Sequence, residues 1–337
     1  MHRSWVLACL LTAACSDDGA DEVRDDEPAD ASVRDAEIDA RPQGDLDARV
    51  VDSATLDAQR PDAGPDASLP VYPTLRVLSY NVAGLPEGIS SSMPSRNSTL
   101  ISPLLNDYGL ALLQEDFTYH AQIVSMARHP HQSPSDTRGQ SLGDGLNFLS
   151  DFPYTDLTRV KWSKCNGLFD QGSDCLTPKG YTFARFEIDG MSVDVYNWHA
   201  DAGSTAADQS ARADNLRQLA AAIRERSPGR AVIVAGDTNS RYTRAGDVLP
   251  ELLAGAGLSD VGPQGSTPAC NAELNPDDAN CERIDKILYR SGDSLELRPF
   301  EYRVEGAKFS DPDGMQLSDH RPVSVSFELV RVGASID

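Results

Sequence analysis

The sequence predicts a layered α/β sandwich, and three observations predict it. Strand-like apolar runs outnumber helical ones, the long helical stretch lies between two strands, and polar residues gather where the apolar runs end. A helix interposed in this way argues against an all-β barrel, and internal repeats are not evident in the sequence.

Taken in order, Leu75–Val82 reads as a buried strand. Leu85–Tyr108 contains Pro86, Gly88 and several serines, with Leu100, Ile101, Leu104 and Leu105 spaced for a short helix. Leu110–Glu115 is a second strand that ends in a Gln-Glu pair. Tyr181–Ile188 and Ser192–Trp198 alternate around Asp189-Gly190, which predicts a hairpin. Ala206–Arg226 is helical, with Leu216, Leu219, Ala220 and Ile223 on one stripe and Ser227-Pro228-Gly229 as its stop. Ala231–Ala235, Ile284–Tyr289 and Val323–Val330 are the remaining strong strands.

Ahead of this domain, residues 1–15 have the organisation of an export signal. Arg3 supplies the positive end, Trp5–Leu11 the apolar stretch, and Thr12-Ala13-Ala14-Cys15 a small-residue cleavage site. The stretch is too short to span a bilayer. Cys15 at the cleavage point resembles the lipobox of bacterial lipoproteins, with Thr12 where Leu or Val is usual. The resemblance implies lipidation of Cys15 and a membrane anchor in the cell envelope, with an ordinary secretory signal as the alternative.

Residues 16–69 read as a disordered tether. They carry 17 acidic and 5 basic residues, recurring Asp-Ala and Pro-Asp-Ala units and no aromatic side chain. Such a segment has too little apolar area to offset its ordering entropy. Its Asp-rich stretches lack the spacing of a calcium loop. The tether holds about half of the net charge of −22, leaving residues 70–337 with 24 basic and 35 acidic residues, net −11. That balance has no electrostatic footprint for tight, non-specific nucleic-acid binding. At 268 residues the same region is long enough for one large core.

Four cysteines lie in this domain. Cys165/Cys175 and Cys270/Cys281 each stand about ten residues apart in Gly/Asp/Asn/Pro-rich stretches, so two short-loop disulfides are the preferred pairing of the three available. Zinc is the rival reading, but the spacings are wrong and no histidine is close by. Disulfides agree with export.

Six segments carry the chemistry: Ser79-Tyr80-Asn81-Val82, Gln114-Glu115, Asn197-Trp198-His199, Gly236-Asp237-Thr238-Asn239, Arg283-Ile284-Asp285 and Ser318-Asp319-His320. Together they offer hard oxygen ligands for a divalent cation, two imidazoles for proton transfer and amide donors for phosphate oxygens. Gly236 would let the backbone approach a phosphate closely. Asp237 and Asn239, two apart, would face one side of an extended segment, one orienting water and the other donating to phosphate. His120, His129 and His131 stand outside any motif and read as structural.

In this order, from about Leu75 to Phe327, the segments resemble the endonuclease/exonuclease/phosphatase superfamily, the deoxyribonuclease I-like proteins. The resemblance implies a four-layer α/β sandwich, two stacked mixed β-sheets flanked by helices, with the active site at one end and Mg²⁺ as cofactor, Mn²⁺ or Ca²⁺ being the alternatives. It implies Glu115 as principal metal ligand with Asn81 beside it, and Asp319 as an outer or direct contact. His320 would be the general base or a phosphate contact, oriented by Asp285, and His199 a general acid for the leaving oxygen. Whether one or two metals act stays open.

Tyr80-Asn81-Val82-Ala83-Gly84-Leu85-Pro86, Gln114-Glu115-Asp116-Phe117 and Pro178-Lys179-Gly180-Tyr181 look like secreted sphingomyelinases, with Lys179 as a rim contact for phosphate. Asn197-Trp198-His199-Ala200-Asp201 departs from that branch, and no aromatic hairpin lies between Gly236 and Asp285. The resulting expectation is an exported phosphodiesterase of sphingomyelinase or phospholipase C type, acting on phospholipid rather than nucleic acid. An extracellular nuclease and a non-catalytic surface lipoprotein are the alternatives. The sequence points to no protein partner.

Overall fold

In the computed structural model, residues 71–333 are described apart from 89–91, 137–141, 168–174, 176, 264–269, 271 and 273–274. The expected signal (1–15), with Cys15, and the tether (16–69) lie outside the described residues. Along the chain come β1 (Thr74–Asn81), α1 (Pro94–Leu104), β2 (Leu110–Gln114), α2 (His120–Val124), β3 (His131–Gln132), β4 (Asn147–Ser150), β5 (Tyr154–Lys161) and β6 (Gly180–Ile188). Then follow β7 (Met191–His199), α3 (Ala206–Arg226), β8 (Val232–Asp237), α4 (Leu249–Ala256), β9 (Ser259–Asp260), β10 (Asp285–Arg290), β11 (Leu295–Val304) and β12 (Val323–Arg331).

The strands form two six-stranded mixed sheets, ordered β11-β12-β1-β2-β4-β3 and β5-β6-β7-β8-β10-β9. Period-two alternation stacks them. Leu75 and Val77 of β1, Val193 and Val195 of β7, and Ile233 and Ala235 of β8 meet in the core between the sheets. The opposite faces bury Leu78 and Tyr80 against Ile101 of α1, and Tyr196, Trp198, Val232 and Val234 against Leu216, Leu219 and Ile223 of α3 and Leu249 and Leu252 of α4. Helix, sheet, sheet, helix is the layering expected from the sequence.

Local signals account for the elements. Asp189 (φ 49°) and Gly190 (φ 71°) turn the β6–β7 hairpin, as an Asp-Gly pair does in a tight primed turn. Thr205 and Asp208 cap α3 reciprocally, Asp208 N–H donating to Thr205 Oγ1 (3.2 Å) and Thr205 N–H to Asp208 Oδ2 (2.9 Å). The inter-sheet core is large, and truncating one of its leucines to alanine should cost about 2–5 kcal/mol.

Several elements escape a reading by apolar runs, among them α2 and the two-residue strands β3 and β9. β5 and β11 are edge strands whose exposed faces are charged, and β11 also contains Pro299. β4 is only four residues long. α4 has Pro250 in its first turn and Gly257 as its left-handed C-cap, signals visible only beside a longer apolar stripe. Cys165–Cys175 and Cys270–Cys281 are both bonded, with Cα–Cα distances of 5.3 and 4.8 Å. Among the described residues no helix is long and apolar enough to cross a membrane.

Candidate active site

Strand register gathers the six polar segments at one rim. Parallel pairing sets Asn81 of β1 opposite Gln114 of β2, and His199 of β7 opposite Asp237 of β8. Antiparallel pairing sets Asp285, the first residue of β10, against Asp237, and brings Val323 of β12 to Ser79. C-terminal ends of four strands therefore share an edge with the N-terminal ends of two others.

The chain turns sharply there. Ala83, Glu115 and Asn239 all have left-handed φ values, 49°, 53° and 47°. Asn accepts this readily, whereas Ala and Glu need the surroundings to hold them, at about 1–3 kcal/mol each. Gly84 helps to hold Glu115: its N–H donates to the Glu115 carbonyl at 3.0 Å. A Cβ on Gly84 would come within 2.5 Å of that oxygen. Gly236 is also required by packing: a Cβ there would stand 1.8 Å from the Trp198 carbonyl oxygen, so the glycine permits close β7–β8 pairing.

Asn81 stands at the middle of the site. Its Oδ1 accepts the Ala83 N–H (3.1 Å), which turns Nδ2 toward Glu115 Oε1 (3.0 Å), Asp237 Oδ2 (3.1 Å) and His320 Nε2 (3.4 Å). Asp237 Oδ1 accepts the Asn239 N–H at 3.0 Å, while its Oδ2 lies 3.3 Å from His199 Nε2 and 3.7 Å from His320 Nε2. On the far side of His320, Nδ1 is 2.9 Å from Asp285 Oδ2. One ligand atom each from Asp237, Asp285 and His320 lies within 4.8 Å of the others.

Burial pushes the Glu115 carboxyl up, against the Lys179 ammonium and the Asn81 amide that hold it down. Burial also works to raise Asp237, but His320, His199 and Lys179 together keep it below the usual carboxylate range. Asp285 is raised by burial despite its imidazole partner. For His320 burial favours the neutral ring, and the carboxylates of Asp285 and Asp237 reverse that, holding the imidazolium well above its ordinary value of 6.5.

The other expected residues sort by distance from this centre. Lys179 is close enough for its charge to act on Glu115 and Asp237, and its Nζ donates to the Ala200 carbonyl at 3.4 Å. Asn239 Nδ2 donates to the same carbonyl at 3.2 Å. Asp319 is exposed at the rim, outside the tight cluster, with Oδ1 3.2 Å from Ser318 Oγ. His120 pairs with Asp116 (2.6 Å) and His129 Nε2 with the Tyr108 carbonyl (2.7 Å), away from the Asn81 cluster.

Two features are legible only in three dimensions. Ser318 Oγ donates to the Asn81 carbonyl (2.7 Å) and accepts the His320 N–H (3.1 Å), tying the loop before β12 to the end of β1. Beneath the rim, Asn197 extends the inward row of β7 and Gln114 that of β2. Gln114 Nε2 donates to Asn197 Oδ1 at 2.7 Å, and Asn197 Nδ2 to the carbonyls of Leu113 (2.8 Å) and Asn147 (3.0 Å). This buried amide layer bonds one sheet to the other directly below Glu115.

A model of the Endonuclease/Exonuclease/phosphatase family matches residues 78–320. Proteins described as sphingomyelinase from Mycobacterium bovis and Mycobacterium tuberculosis are 37% identical over 266 residues, which is 75% of this chain and 52% of each relative. The chain therefore spans about half the length of the curated relatives it matches. Among solved structures, sphingomyelinase C from Streptomyces griseocarneus superimposes with a TM-score of 0.56 at 21% identity, covering 75% of this chain and 99% of that one. A beta toxin from Staphylococcus aureus with bound magnesium ions gives a TM-score of 0.55 at 18% identity, covering 74% and 98%. At those identities the likeness is one of fold.

Proposed function

This chain belongs to the endonuclease/exonuclease/phosphatase family, and on that premise we propose that it is an exported, Mg²⁺-dependent phosphodiesterase of sphingomyelinase or phospholipase C type, cleaving a phospholipid on its headgroup side. The observation that carries the reading is the convergence on Asn81, whose amide joins Glu115 to Asp237 with the Asp285–His320 pair alongside. Similarity to the mycobacterial sphingomyelinases supports lipid over nucleic acid, as does the net charge of −11 on residues 70–337. Lipidation at Cys15, with the acidic tether behind it, would keep the domain at a membrane surface.

The donor set fits a hard divalent cation. Glu115 is a carboxyl raised by burial, and Asp319 adds a second negative charge felt at the same place. Glu115 and Asp319 would hold Mg²⁺, with Mn²⁺ or Ca²⁺ as alternatives. Asn81, whose Oδ1 is taken by the Ala83 N–H, would act by holding Glu115 and Asp237 in place. When bound, the cation would neutralise charge on a phosphate oxygen and acidify water.

The remaining steps belong to this chain's own residues. Asp237, kept ionised, would align the attacking water and draw its proton, while Asn239 and Lys179 donate to phosphate oxygens. His320, whose protonated form the carboxylates of Asp285 and Asp237 favour, fits the phosphate contact of its two expected roles, with Asp285 fixing the ring. A bond forms from water oxygen to phosphorus, the bond to the lipid alcohol breaks, and His199 beside Asp237 protonates the departing oxygen. The products are an alcohol and a phosphate monoester.

Full-length protein offered vesicles of sphingomyelin or phosphatidylcholine, plasmid DNA and bis(p-nitrophenyl) phosphate, with Mg²⁺ or with EDTA, tests the reading. Mg²⁺-dependent release of a water-soluble phosphate monoester from lipid is expected. DNA nicking without lipid turnover would assign the site to a nuclease, and inactivity on every substrate would favour the non-catalytic lipoprotein.

A further inference from the structure

Helix α3 changes character along its length. Leu216, Leu219, Ala220 and Ile223 of its C-terminal half pack on the sheet, but the buried positions of its N-terminal half include Asp208, Arg212 and Asn215. The Arg212 side chain is only 2% exposed. An apolar residue would fill such a position at lower desolvation cost, so a buried guanidinium there calls for a reason beyond packing.

Its hydrogen bonds reach two loops. Nη1 donates to the carbonyls of Asp201 (3.0 Å), Ala202 (3.2 Å) and Gly203 (2.9 Å), directly after His199 and Ala200. Nη2 and Nε donate to Asp247 Oδ1 at 3.0 and 3.3 Å. Asp247 Oδ2 in turn accepts the Arg241 N–H (2.8 Å) and Arg244 Nε (2.7 Å), and Arg244 Nη2 donates to the Asn239 carbonyl. Asn215 adds a second hold on the first loop by accepting the Asp201 N–H at 3.0 Å. The planar fork of one guanidinium therefore sets the loop after β7 against the loop after β8. Those loops meet at the Ala200 carbonyl, which receives both the Asn239 amide and the Lys179 ammonium.

We propose that Arg212, with Asp247, is a positioning residue that fixes the loop after His199 relative to Asn239, and so aims Asn239 and Lys179 at the phosphate. The inference rests on the reading of the rim as a phosphodiesterase site. A lysine at 212 keeps the charge but cannot serve both loops at once. An Arg212→Met/Asp247→Asn pair removes the two buried charges together and keeps the volume, leaving Arg244, whose side chain is 31% exposed, to solvent, so it remains testable if single variants fold poorly.

The test uses full-length protein well below its melting temperature, with kcat and KM referred to the folded fraction. Arg212→Lys and the double variant should each lose about 10–100-fold in kcat with KM within about 2-fold, since small misplacement of a positioned group acts on the reacting geometry. A second arm does not need turnover: the side-chain amide signal of Asn239 should shift or broaden in both variants, while the ring signals of His320 stay in place. A lower melting temperature with unchanged kcat per folded molecule, or an unmoved Asn239 signal, would overturn the assignment. Should wild-type protein turn over no phosphodiester, the functional reading falls, and the Asn239 signal alone decides whether Arg212 holds the loops.

Discussion

Asn81 Nδ2 donates to Asp237 Oδ2 across 3.1 Å, between residues 156 apart in sequence and on strands of different sheets. The same nitrogen reaches Glu115, so a single amide spans the gap between a carboxyl raised by burial and one held low by imidazoles.

Replacing Asn81 with alanine should leave those two carboxylates without their shared donor. Turnover should fall by at least about 100-fold, as for the loss of a preorganised donor, and Mg²⁺ affinity by about 10–100-fold. Steady-state kinetics with Mg²⁺ titration checks both numbers, and wild-type Mg²⁺ affinity in the variant would refute the role of the amide.

Glu115→Gln should abolish most turnover and the stabilisation conferred by Mg²⁺, while the metal-free protein melts at or above the wild-type temperature. The reason is that burial already disfavours this carboxylate, and an amide has no charge to desolvate. Because metal binding needs the ionised form, wild-type Mg²⁺ binding should release protons and weaken on acidification from above the ordinary Glu range. Calorimetry in two buffers of different ionisation enthalpy measures the release.

His320 gives stability a defined pH dependence in the absence of metal. Its folded pKa lies well above 6.5, so its contribution is complete below that unfolded value and is lost as pH rises through the folded one. Unfolding free energy should therefore decline on the alkaline side of pH 6.5, and Asp285→Asn should flatten the decline by removing the largest cause that raises the imidazole. Urea melts across that window, with a ring-proton titration of His320, decide the point.

Gly236→Ala tests packing rather than chemistry. With Trp198 O 1.8 Å from the added carbon, β7 and β8 must part where His199 faces Asp237. Destabilisation of about 3 kcal/mol or more is expected, with a melting temperature lower by roughly 6–12 °C. A melting temperature within about 1 °C of wild type would contradict the strand geometry.

The layering and most of the rim were legible because each key side chain ends an apolar run. Asn81, Glu115, His199 and Asp237 each follow or end a run of buried residues, Asp285 opens a strand and the Ser318-Asp319-His320 segment precedes one. Pairing direction alone then brings these ends to one edge. Other parts leave no such trace. Glutamate is not a residue that advertises a left-handed φ, so the turn at Glu115 is invisible in sequence. β11 hides behind Pro299 and alternating charges at an edge. Arg212 sits in what reads as the solvated side of a helix, and only the fold reveals that two loops cover it.

The amides of Gln114 and Asn197 act as a dowel between two boards. Oily surfaces stacked face to face tolerate a slight shear, whereas directional bonds between the sheets index one against the other. Glu115 rides on one board and Asp237 on the other, so the dowel sets the span between the two carboxyls. Leucine at both 114 and 197 takes the donor from the Leu113 and Asn147 carbonyls and should yield a protein that melts lower and works poorly even when folded, its halves free to drift out of gauge.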